Sequence, residues 1–138
     1  MTKKYLVDTS IWVDLREDRK GFNNEPLGDY AYKLFIKIMT DKNKIVITDH
    51  IQRELETNYG MPEIRGMFLP FQSIIEKVIV KDEQKEEAKK IGEKRDIPKG
   101  DALHAIIARD NNLTMVTRDK HFKELDDISK HYKPEELT

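Results

Sequence analysis

Apolar residues in this chain come in two patterns. Short continuous blocks alternate with stretches spaced at three and four residues, which reads as strands interleaved with helices. Tyr5-Leu6-Val7 is a short apolar block ending at Asp8 and predicts a first buried strand. Ser10 is placed to cap a following helix over 11–16. Residues 20–28 hold Gly21, Asn23, Asn24, Pro26 and Gly28 and read as a loop. Ala31, Leu34, Phe35, Ile38 and Met39 share one face of a helix over 30–40. Ile45-Val46-Ile47 marks a second strand over 44–48. Asp49 with Gln52 three residues on makes a capping-box pattern, opening a helix to about residue 59 that Gly60 and Pro62 stop. Residues 63–73 keep no single period, because Gly66 and Pro70 interrupt it.

Beyond that break, residues 74–80 are apolar and β-branched and predict a third strand. A charged helix follows over 83–95, with Ala88 and Ile91 inward. Pro98 and Gly100 open the most apolar helix of the chain, over 101–110. A fourth strand covers 113–116, Asp119 starts a short helix through 125, and 128–132 reads as a last edge strand ended by Pro134. Strands alternating with helices predict an α/β fold with a parallel, doubly wound sheet. The 138 residues suit one domain, 1–138.

Composition narrows the chemistry. Lys+Arg is 25 against Asp+Glu 26, a net charge of -1, which is not the footprint of a protein that coats nucleic acid. It leaves room for a nuclease, since acids gathered around a metal hide local basic patches in the sum. Cysteine is absent, so disulfides, zinc-thiolate sites and thiol nucleophiles are excluded, and a reducing cytoplasm is the expected setting. No apolar run approaches the ~20 residues needed to span a bilayer, and the N-terminal segment lacks a signal-peptide core. No phosphate-binding G-x-x-x-x-G-K-[ST], no G-x-G-x-x-G and no H-E-x-x-H is present.

In a doubly wound sheet, function sits beyond the C-terminal strand ends. That rule sorts the acids. Asp8 directly follows the first strand, Asp119 lies three residues past Val116, Asp101 begins the apolar helix, and Glu54 lies on the helix after the second strand. Each alone has a plainer explanation, as a helix cap, a dipole partner or an exposed helix acid. Together they fall on one sheet edge. Two carboxylates ~4 Å apart repel by about 4 kcal/mol at an effective dielectric near 20. Such a cluster needs a divalent cation or raised pKa values. Oxygen-only ligands favour Mg²⁺ or Mn²⁺ over zinc, and those ions serve phosphoryl chemistry.

Four stretches, VDTSIWVD (7–14), TDHIQREL (48–55), GDALHAIIA (100–108) and TRDKHF (117–122), resemble the PIN domain nucleases in order, type and spacing. The resemblance implies a PIN-like α/β/α sandwich with a central parallel sheet of four to five strands flanked by helices. It implies a Mg²⁺- or Mn²⁺-dependent endoribonuclease and carries the acidic quartet onto Asp8, Glu54, Asp101 and Asp119. Ser10 and Thr117 match hydroxyl positions that orient the acids. Many small prokaryotic members are toxins of VapBC-type toxin–antitoxin pairs, which implies a VapB-like antitoxin and a homodimer here. The long segment 58–75 departs from the pattern and is where substrate or partner preference can differ. The rivals are an RNA-processing nuclease without an antitoxin and a silent PIN fold that only binds.

Other residues carry less weight. Asp49 is explained by capping, and Asp14, a turn after Ser10, stays outside the candidate set. His104 shares a helix face with Asp101 and is a candidate phosphate or water contact, against packing beside Ala105 and Ala108. His50 and Glu54 read as an ordinary i, i+4 surface pair, and His121 and His131 as peripheral. Arg118 is a candidate substrate contact among basic residues flanking the acids. Trp12 and Phe122 could stack a base, with core packing the plainer expectation.

Overall fold

A computed structural model describes residues 2–138. At its centre lies β1 (Lys4–Val7), whose Leu6 and Val7 are fully buried. A strand this apolar needs cover on both faces, which a parallel sheet provides. β1 pairs in parallel with β2 (Lys44–Thr48) on one side and with β4 (Thr114–Val116) on the other. β3 (Ile75–Val78) extends the sheet beyond β2, and β5 (His131–Tyr132) extends it beyond β4. The order is β3-β2-β1-β4-β5, five strands, all parallel. The chain therefore winds outward from β1 in one direction and then restarts in the other. The reversal leaves a crevice beyond the C-terminal ends of β1 and β4.

Six α-helices flank this sheet: α1 (Thr9–Glu17), α2 (Leu27–Thr40), α3 (Asp49–Glu56), α4 (Met61–Phe68), α5 (Asp82–Arg95) and α6 (Lys99–Asp110). In α6 every residue from Ala102 to Ala108 is buried, which marks a helix covered all round. The charged α5 packs on α6 and buries only Gln84, Ala88 and Gly92. A second packing centre is aromatic. The Trp12 ring meets Phe35 at 4.8 Å and Phe68 at 4.9 Å, and Phe35 meets Phe71 at 5.0 Å, all edge-on. These contacts tie α1 and α2 to α4 and to the 3₁₀ turn Leu69–Ile74. Trp12 and Phe122 are both fully buried, as core packing predicts.

Several local expectations are corrected. The cap of α1 is Asp8, whose side chain accepts from the Thr9 N–H, and not Ser10. The cap of α3 is Thr48, accepting from Ile51 N–H, while Asp49 lies in the first turn and pairs with Lys77 at 2.8 Å. In both places two nearby residues can cap, and the one at the strand end, just before the first helical residue, takes the role. α3 stops at Glu56, before Gly60 and Pro62. Those two residues begin α4, since proline is tolerated in a first helical turn. The aperiodic 63–73 stretch is thus mostly the rest of α4 and its 3₁₀ continuation.

Two glycines make opposite predictions for one substitution. At Gly28, where α2 starts against the end of α1, an added Cβ would lie 2.6 Å from Asp18 Cα and 2.8 Å from the Asp14 carbonyl oxygen. Backbone cannot yield there, so Gly28→Ala should lower urea-unfolding stability by about 1–3 kcal/mol. Gly66, inside α4, has nothing within 4 Å of a Cβ. Gly66→Ala should raise stability by up to roughly 1 kcal/mol through helix propensity. Equal effects at the two sites would contradict this packing.

Candidate active site

Asp8 ends β1 at the crevice, and its backbone N–H donates to Val116 O at 2.9 Å, locking it beside β4. Both carboxylate oxygens are held. Oδ1 accepts from Thr9 N–H at 2.9 Å, and Oδ2 accepts the hydroxyls of Ser10 and Thr117, each at 3.0 Å. Thr117 is itself fully buried one residue past β4. Its hydroxyl oxygen also accepts from Asp119 N–H at 3.1 Å. One threonine thus sets the positions of two acids.

Asp119 caps a 3₁₀ turn, Lys120–Leu125, by accepting from His121 N–H at 2.9 Å. Asp101 stands in the first turn of α6. Glu54 approaches from α3, its Oε1 accepting the Thr9 hydroxyl at 2.7 Å. The four acids predicted from the sequence line one cleft of about 420 Å³, together with Thr9, Ser10 and Arg19.

The electrostatics of these acids diverge. Burial alone would push Asp8 up. Its contacts with His104, Ser10 and Thr117 outweigh that and hold it below the ordinary aspartate value. Asp101 has only the charge of His121 to lower it, the smallest of its influences. Burial first, then the charge of Asp119, push its pKa up to about 7. Its Oδ2 is buried without a hydrogen-bond partner. A poorly solvated carboxylate oxygen beside a second carboxylate fits a divalent cation, which would relieve both the repulsion and the unmet oxygen. Asp101, Asp119 and His121 each present a donor atom, all within 4.8 Å of one another.

His104 is 1% exposed and lies under Asp8, with Nδ1 3.5 Å from Asp8 Oδ1. That is long for a hydrogen bond, and neither ring nitrogen has a hydrogen-bond partner. It packs edge-on to His50, with ring centroids 5.2 Å apart. Burial, and then His104, hold His50 below the ordinary histidine value. Arg118 does not line the cleft. Its guanidinium forks onto Glu135 at 2.9 and 2.6 Å, and its Nε lies 3.7 Å from Asp14 Oδ2. These contacts tie the last 3₁₀ turn to α1.

Sequence reasoning missed two residues. His121, read as peripheral, places Nδ1 2.8 Å from Asp119 Oδ1 and 3.2 Å from Asp101 Oδ2. The available signal was its position two residues after an aspartate that opens a turn, where the chain folds back on the cap. Arg19 lies past the end of α1, with its side chain half exposed at the cleft. No pattern marked it.

A family model, PIN domain, matches residues 5–128. No curated protein matches the sequence. Among solved structures, the VapBC2 complex of Rickettsia felis bound to promoter DNA is similar at TM-score 0.67 and 19% identity, over 94% of this chain and 98% of that one. A toxin–antitoxin complex from Klebsiella pneumoniae is similar at TM-score 0.62 and 16% identity, over 94% and 97%. PAE2754 of Pyrobaculum aerophilum is similar at TM-score 0.57 and 20% identity, over 99% and 95%. At these identities the likeness speaks to the fold.

Two predictions follow from the hydrogen bonds and charges. Thr117→Val removes the donor to Asp8 and the acceptor of Asp119 N–H without changing side-chain shape. It should cost about 1–3 kcal/mol in urea unfolding and weaken Mn²⁺ binding measured by calorimetry; unchanged binding would mean that this hydroxyl does not position the acids. Asp101 gives a pH signature. Between the ordinary aspartate value of 3.8 and about 7, the folded state keeps a proton that the unfolded chain has lost. Stability without divalent ions therefore falls as pH rises through that window. At pH 8, Asp101→Asn should melt higher than wild type by on the order of a few degrees, with the gap closing toward pH 4. A gap independent of pH would refute the assignment.

Proposed function

Because this chain belongs to the PIN domain family, we propose that it is a metal-dependent endoribonuclease that hydrolyses RNA phosphodiester bonds, and the toxin of a VapBC-type toxin–antitoxin pair. One observation carries the nuclease reading. Four carboxylates from four separate segments line a single cleft, and the one with the highest proton affinity has an unpartnered oxygen. Asp101 is not placed there for stability, since without a metal its raised pKa opposes folding at neutral pH.

Mg²⁺ or Mn²⁺, when bound, supplies positive charge at a phosphate oxygen and acidifies water. Asp8, Asp101, Asp119 and Glu54 are the residues that would hold it. Asp8 is fixed by two hydroxyls and one backbone amide, so it stays ionised and does not swing. Asp101 gains most from a neighbouring cation, because its own charge is the least stabilised. Thr9 keeps Glu54 turned toward the cluster. Among the described residues that line the cleft, Arg19 is the cation, and with a 4.0 Å contact to Asp14 it can meet an RNA phosphate.

The toxin reading draws on two structural relatives, the Rickettsia felis VapBC2 complex and the Klebsiella pneumoniae toxin–antitoxin complex. It brings an antitoxin partner and a homodimer with it. Among the described residues no helix is long and apolar enough to cross a membrane. A cytoplasmic setting is part of the toxin reading.

Purified protein should cleave a structured RNA pool with Mn²⁺ or Mg²⁺ and stop with EDTA. Asp101→Asn should lower the rate at least roughly a hundredfold. Equal cleavage by the variant would assign the activity to a contaminant. Absence of both cleavage and calorimetric metal binding would leave a PIN fold that only binds. Co-purification with the product of an adjacent short gene would support the antitoxin pairing, and its absence would favour an RNA-processing role.

A further inference from the structure

His50, Glu54 and His104 each present a donor atom, and the three atoms lie within 4.8 Å of one another. This group stands beside the acidic cluster and uses a different donor chemistry. We propose that these residues form a second metal site, one that takes a nitrogen-preferring divalent ion of the Zn²⁺ class and not Mg²⁺.

Three features of the structure argue for it. First, His104 is 1% exposed, yet both its ring nitrogens lack hydrogen-bond partners. A buried imidazole almost always finds a partner for its polar atoms. Here Nδ1 faces Asp8 Oδ1 at 3.5 Å. A histidine with a carboxylate on one side and an ion on the other is the usual arrangement of a metal-bound imidazole, in which the carboxylate orients the ring. Asp8 would play that part.

Second, α6 makes room for the His50 ring. Its Nε2 lies 3.6 Å from Glu54 Oε1, one helical turn away on α3. Residue 100, in the first turn of α6, faces this nitrogen and is a glycine. Any Cβ there would sit 2.7 Å from His50 Nε2. Gly100 has no φ that requires glycine. Its missing side chain is explained by the imidazole it accommodates.

Third, the donor set is selective. Two imidazoles and one carboxylate suit Zn²⁺ and its neighbours, whereas Mg²⁺ demands oxygen. With three protein ligands and an open position, the site has the composition of an exchangeable centre and not of a sealed structural one. Glu54 belongs to both groups. An ion held by the histidines therefore shares a ligand with the acidic cluster, and the two occupancies are coupled.

The inference does not depend on nuclease activity, and its test reads binding alone. Metal-stripped full-length protein is titrated with Co²⁺, a spectroscopic stand-in for Zn²⁺, in excess Mg²⁺ at pH 7.5. The d–d absorption reports nitrogen ligation, and Zn²⁺ competition gives affinity. Wild type should bind one Co²⁺ with a low-coordination spectrum and release it to Zn²⁺. His50→Ala changes a partly exposed residue. It should weaken Co²⁺ binding at least roughly tenfold, since even outer-shell losses around a metal reach that size. Gly100→Ala should weaken it too, by filling the space beside Nε2. Mg²⁺ binding by the acidic cluster should survive in His50→Ala.

The proposal is overturned if His50→Ala and Gly100→Ala bind Co²⁺ like wild type. It is also overturned if the band is lost in His121→Ala and kept in His50→Ala, which would put the ion at Asp101, Asp119 and His121. Asp101→Asn separates the two readings. If the Co²⁺ band persists in Asp101→Asn while wild type neither binds Mg²⁺ nor cleaves RNA, this site is supported and the nuclease assignment fails.

Discussion

The carboxylate of Asp8 is gripped from three directions, by the amide of Thr9 and by the hydroxyls of Ser10 and Thr117. Most of the molecule's order can be traced from that grip. Asp8 is the last point at which β1 is held to β4, through the hydrogen bond its N–H donates to the Val116 carbonyl, and the first point of α1, through its cap. The sheet register and the helix direction both pass through it. Thr117 extends the same hold to Asp119, and Thr9 extends it to Glu54. Three of the four acids in the cleft are therefore joined by hydrogen bonds, while Asp101 is presented by α6 with its Oδ2 unmet.

This division has an electrostatic meaning. Asp8 is an anion the fold supports, and below its depressed value that support is lost. Asp101 is an anion the fold resists, and the resistance grows as the pH rises toward about 7. Opposite signs in one cleft cannot both be products of stability. The supported acid behaves as a fixed framework, and the resisted one keeps a high affinity for positive charge. Proteins place such unfavourable groups where a ligand will satisfy them.

How much of this the sequence revealed varies with the physics. β2 was legible to the residue, because Ile45-Val46-Ile47 is buried in a parallel sheet and has no helical reading at that length. The acids were legible because strand ends in this architecture face one edge, a topological fact that needs no coordinates. The caps were not, since Asp8 competes with Ser10 and Thr48 with Asp49, and only the backbone angle at the strand end decides. Helix α4 hid behind Pro62 and Gly66, residues that interrupt a pattern whether or not they interrupt a helix. His121 and the His50–His104 contact were invisible for a different reason. Their partners lie on other elements, and no spacing along the chain encodes that approach.

The pairing of β1 with β4 spans the chain: the hydroxyl of Thr117 reaches an acid 109 residues earlier. During synthesis Asp8 emerges early, while its central partner strand has yet to be made. β2 can join β1 long before, but β2 contributes no hydroxyl to Asp8. Assembly of the acidic centre must therefore wait until β4 has been translated and threaded in beside β1. Such distant pairings are also slow to form. Translation order itself therefore delays the appearance of the finished acidic centre.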